Sequence, residues 1–109
     1  MTIPDRSQAA ARLAAVAAQY PEELPMLLAG DLNDVPESES LAGLFALWRS
    51  ARGAEALPTF PACGPKRQLD YILYRPAGRW RVAAVRVPDE PAASDHRPVV
   101  AVLELLPPR

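Results

Sequence analysis

The chain has 109 residues, room for one domain around a single core. Its formal net charge of −1 excludes a basic field able to gather nucleic acid or an anionic membrane, although a bound metal can supply positive charge locally. A single cysteine, Cys63, excludes an internal disulfide and a four-cysteine zinc site, and it accords with a cytoplasmic location.

Asp5 or Ser7 is suited to cap a helix from about Ser7 to Tyr20, with Ala9, Leu13, Val16, Ala17 and Tyr20 on one face. Pro21 ends it. Asp5, Arg6 and Arg12 break up the alanine-rich stretch, and no apolar run is long enough to span a bilayer. Pro25 to Gly30 reads as a short buried strand, with Asp31-Leu32-Asn33-Asp34 at its C-terminal end. Pro36 to Ser40 opens a second helix. Glu37 and Glu39 suit its positive N-terminus, and Leu41, Leu44, Phe45 and Trp48 form its apolar stripe. Arg49 to Pro65 reads as loop, broken by Gly53, Pro58, Pro61, Gly64 and Pro65. Strands follow at Leu69 to Tyr74, which carries Asp70, at Arg79 to Val87, and at Pro98 to Leu106. This order predicts a layered α/β domain of the α+β kind, whose later strands pair mainly antiparallel.

Three polar segments lie at the edges of these apolar strands: GDLND at 30–34, QLDY at 68–71 and SDHRP at 94–98. Each has an ordinary structural explanation. Asp31 and Asn33 suit a turn, Asp70 suits the surface of an edge strand, and His96 suits a partly buried side chain. Their joint appearance in this order is the informative feature.

The segments PMLLAGDLND, TFPACGPKRQLDYIL and SDHRPVVAVLEL resemble the last three signature blocks of the endonuclease/exonuclease/phosphatase family, whose fold is that of DNase I. The resemblance runs from the first helix to the C-terminus. Leu32 stands where the family usually has phenylalanine, a change in packing rather than chemistry. The resemblance implies that residues 1–109 form the C-terminal half of a four-layer α/β sandwich, with a mixed, mostly antiparallel sheet and two helices on one side. The N-terminal half, which in the family supplies an asparagine and a metal-binding glutamate, is expected to be missing.

Roles follow by the same resemblance. Asp31 is expected to orient or deprotonate the attacking water, and Asn33 to hold a phosphate oxygen. His96 is expected to contact the scissile phosphate, and Asp70 to hydrogen-bond that histidine. Asp95, with Asp31, is the expected metal-binding carboxylate. Mg²⁺ or Mn²⁺ suits such oxygen ligands, with weak binding expected from this chain alone. A carboxylate beside an imidazole favours its protonated form, so Asp70 is expected to raise the His96 pKa. Arg67, beside Lys66, is either a phosphate contact or part of a solvated basic turn.

The implied activity is hydrolysis of a phosphate ester by an activated water. The family's substrates include nucleic acids, inositol phosphates and phospholipid headgroups. The alternative is a catalytically inactive half-domain serving as an interaction or regulatory module. In either case the uncovered sheet face predicts a homodimer or a partner supplying the other half.

Overall fold

The structure, a computed structural model, describes residues 6–32, 37–52, 57–88 and 95–108. In chain order these form α1 (Arg6–Ala17), β1 (Met26–Asp31), α2 (Glu39–Leu47), β2 (Arg49–Ser50), β3 (Asp70–Arg75), a short 3₁₀ turn (Ala77–Arg79), β4 (Trp80–Arg86) and β5 (Val100–Leu105). The strands divide between a three-stranded sheet, ordered β1-β3-β2, and a two-stranded sheet, β4-β5. Every pairing is antiparallel.

Leucine, isoleucine and tyrosine make β3 the centre of the larger sheet, and alternation divides its side chains between two faces. Tyr71 and Leu73 turn toward the helices and are buried with Ala17, Leu41, Leu44 and Trp48. Met26 and Leu28 of β1 pack against this cluster from the same side of the sheet. A leucine as fully buried as Leu44 or Leu73 contributes roughly 2–3 kcal/mol of hydrophobic stabilisation. Arg75 ties the layers together: its guanidinium donates to the Ala17 carbonyl at the end of α1 (2.7 Å) and lies over the Trp48 ring.

The apolar stripe expected on α2 is the buried one. That of α1 is narrower than its spacing suggests, because Val16 and Tyr20 are exposed and the helix docks through Leu13 and Ala17. Its last turn also tightens: the amides of Gln19 and Tyr20 bond three residues back, so the α-helix ends at Ala17 rather than Tyr20. The segment from Arg49, expected to be loop, begins with β2. This strand pairs with Tyr74 and Leu73 through its backbone, and Ala51 extends the pairing to Ile72.

The β4-β5 ribbon joins the larger sheet through the Trp80 indole, which donates to the Arg75 carbonyl at 3.1 Å. Its pairing slips once, between Val82 and Ala84. The segment leading into β5 carries residues 95–97 back to the end of the larger sheet where β1 stops and β3 starts.

Candidate active site

β1 ends on Asp31 and β3 begins on Asp70, and antiparallel register sets these residues opposite each other. Partners in register share a face, so both carboxylates leave the side away from the helices. Gly30, just before Asp31, has φ +153°, a conformation that a side chain disfavours. The Leu32 amide bonds the Leu69 carbonyl (2.9 Å) and extends the pairing past both aspartates.

His96 reaches this rim from the segment before β5. Its Nδ1 lies 2.6 Å from Asp70 Oδ2, a short charge-assisted hydrogen bond, and its Nε2 lies 3.8 Å from Asp31 Oδ2. The Asp70–His96 pair is largely shielded, whereas the Asp31 carboxylate is about half exposed, at 45%. The hydrogen bond to Asp70 raises the His96 pKa above 6.5. Partial burial opposes that rise, and the charges of Asp70, Asp31 and Asp95 reinforce it. Beside the histidine lies a cavity of about 380 Å³, lined in part by Gly30, Asp70, Ile72, His96, Arg97 and Val99.

What holds His96 in place is the loop before β3. Thr59, fully buried, accepts the Arg97 amide at its carbonyl (2.7 Å) and the Leu69 amide at its hydroxyl (3.2 Å). The Ala62 amide donates to the Asp95 carbonyl (2.7 Å), and Arg97 Nε donates to the Ala62 carbonyl (2.8 Å). One loop thus fastens both the start of β3 and the histidine segment.

Of the residues singled out from sequence, the structure brings Asp31, Asp70 and His96 together, with donor atoms all within 4.8 Å of one another. Asp95 is exposed and adjoins His96 in the chain; its charge acts on the imidazole. Arg67 lies 5.4 Å over the Phe60 ring. Asn33 lies outside the described residues. Sequence reasoning gave no role to Thr59 or Phe60, although both stand at the head of the TFPACGPKRQLDYIL segment.

The three clustered donors are not equivalent toward a cation. Mg²⁺ and Mn²⁺ favour oxygen, and the His96 imidazole is engaged with Asp70 through Nδ1, which raises its pKa. Within this set Asp31 is the carboxylate best suited to a hard divalent ion, since Asp70 is engaged with His96. Among the described residues no helix is long and apolar enough to cross a membrane.

The model of the endonuclease/exonuclease/phosphatase family matches residues 2–96, a span that takes in Asp31, Asp70 and Asp95 and closes on His96. The chain resembles the endonuclease/exonuclease/phosphatase from Bacteroides vulgatus with a TM-score of 0.75 and 23% identity, over 92% of this chain and 44% of that one. It resembles the mannosyl-6-phosphatase of Bacteroides thetaiotaomicron with a TM-score of 0.77 and 18% identity, over 92% and 46%. Identities this low compare folds alone. No curated protein matches the chain significantly. It spans less than half the length of either solved structure. By the extent of the family match and by its fold, this chain belongs to the endonuclease/exonuclease/phosphatase family.

Proposed function

We propose that this chain carries the histidine-and-aspartate half of a divalent-metal-dependent phosphoesterase. The carrying observation is the Asp70–His96–Asp31 arrangement, with separations of 2.6 and 3.8 Å at one rim of a family-matched fold. Asp31 and Asp95 would hold Mg²⁺ or Mn²⁺. Once bound, that ion would offset negative charge on the phosphoryl oxygens and acidify a coordinated water.

The chain's own residues divide the remaining work. Asp70 fixes the imidazole through Nδ1 and favours its protonated form. Nε2 then faces the side of Asp31 as a donor for a phosphate oxygen, where charge grows in the transition state. The half-exposed Asp31 carboxylate orients the attacking water and accepts its proton. Asn33 is assigned to the phosphate by resemblance, and Arg67 is a candidate phosphate contact only by its place beside Lys66 just before Asp70. The net charge of −1 favours a small phosphate ester over long nucleic acid, and a sugar phosphate is one such ester, since one matched structure is a mannosyl-6-phosphatase.

A second reading, a non-catalytic interaction module, is favoured by the exposed apolar residues Leu27, Val100, Val102 and Leu105. Fusing the chain to the remaining portion of the Bacteroides vulgatus protein separates the two. Hydrolysis of p-nitrophenyl phosphate or its bis-ester is followed with Mn²⁺ or Mg²⁺. The expected result is metal-dependent turnover that Asp31→Asn and His96→Ala each abolish without unfolding the protein. A folded fusion that cleaves neither ester, or that survives both substitutions, overturns the phosphoesterase reading.

A further inference from the structure

The Asp70 hydrogen bond orients the His96 ring from its Nδ1 edge. Coupled rotation about χ1 and χ2 can keep that bond while carrying Nε2 away from Asp31. Phe60 packs against the ring and opposes such a rotation. Its ring centroid lies 4.9 Å from that of His96 with the planes inclined at 51°, inside the range in which aromatic rings attract.

Phe60 is itself held on two sides. Its backbone forms an isolated antiparallel bridge with Arg67, each amide bonding the other's carbonyl at 3.1 Å, and the Lys66 amide adds a bond to the Phe60 carbonyl. The Arg67 guanidinium covers its ring at 5.4 Å. The loop that carries Phe60 is bound to the histidine segment at Thr59 and at Ala62, one residue before it and two after. Phe60 therefore moves with that segment.

We propose that Phe60 is a positioning residue for His96, setting the plane of the imidazole so that Nε2 stays directed toward Asp31 while Nδ1 stays on Asp70. Arg67 acts on the site through this ring. The functional consequence rests on the phosphoesterase reading above, whereas the positioning itself is a property of this chain and is measurable without any reaction.

His96 is the only histidine, so its imidazole signals in nuclear magnetic resonance are unambiguous. With ¹⁵N-histidine at one fixed pH, the wild-type chain is expected to show a downfield Nδ1 proton protected from solvent exchange. Cross-relaxation between the Phe60 and His96 rings is also expected. Phe60→Leu is expected to quicken exchange of that proton about tenfold while the backbone spectrum stays folded, and Phe60→Tyr to restore protection. In the active fusion, Phe60→Leu is expected to lower kcat about tenfold with KM within about twofold, and Phe60→Tyr to recover it. Absence of Phe60–His96 cross-relaxation in the wild type overturns the proposal even if Phe60→Leu fails to fold. So does a folded Phe60→Leu whose Nδ1 proton is as protected as before. An inactive fusion with both ring signals intact counts against the phosphoesterase reading and leaves the positioning role standing.

Discussion

Asp31 and Asp70 oppose each other at the end of the β1–β3 pairing, and His96 sits against both, 2.6 Å from Asp70 and 3.8 Å from Asp31. Like charges across a strand pair repel, and protonation of the imidazole offsets that repulsion. Its pKa is raised on folding, chiefly by the hydrogen bond to Asp70. A raised histidine pKa contributes stability that is complete below the unfolded value of about 6.5 and is lost as pH rises through the folded value. Urea midpoints are therefore expected to fall as pH rises above about 6.5, and Asp70→Asn is expected to flatten that slope. An equally steep decline in Asp70→Asn would assign the effect to other groups.

Gly30→Ala is expected to destabilise the chain by about 1–3 kcal/mol, because φ at +153° suits glycine and resists a side chain. Steric crowding is not the cause, since a Cβ built there meets nothing within 4 Å. Chemical denaturation gives the loss directly. Stability equal to wild type would show that the backbone relaxes before Asp31.

Metal binding by this chain alone is expected to be weak, with a dissociation constant on the order of millimolar, because few carboxylates are present to offset dehydration of the ion. Calorimetry with Mg²⁺ measures it. Substoichiometric Mn²⁺ is expected to broaden the resonances of Asp31, Asp70 and His96 together, since their donor atoms lie within 4.8 Å of one another. A tight stoichiometric site would mean that a further ligand exists.

Association is the expected behaviour at high concentration. Leu27 on the sheet face away from the helices, and Val102 and Leu105 on β5, are each more than half exposed. Light scattering is expected to rise with concentration, and Leu27→Lys or Val102→Lys to suppress it. A monodisperse monomer throughout contradicts this.

Legibility in the sequence followed how much of each element's pattern was spent on packing. Leu41, Leu44, Phe45 and Trp48 mark α2 plainly because all four meet the core. Alanine-rich α1 carries a weaker imprint, and its expected face included Val16 and Tyr20, which meet solvent. β2 is only Arg49 and Ser50, bound by backbone pairing that any residues make, so no side-chain signal announces it. At the site, Asp31, Asp70 and His96 stood out through motif resemblance rather than periodicity. Phe60 lies between Thr59 and Pro61 in a stretch that reads as turns. Its ring contact is visible only once the loop has folded onto residues 95–97.

The facing of Asp31 and Asp70 has a consequence for how such a chain tolerates insertions and deletions. Successive strand residues point to opposite faces, so losing one residue between Met26 and Gly30 preserves the ladder yet turns Asp31 inward, beside Tyr71 and Leu73. Losing two returns it to the outer face, displaced along the strand by about 7 Å. The parity of the length change decides whether the carboxylate projects from the outer face or enters an apolar core. Length variation inside β1 and the start of β3 is therefore expected in even steps, while the connection between β2 and β3 is free of that restriction.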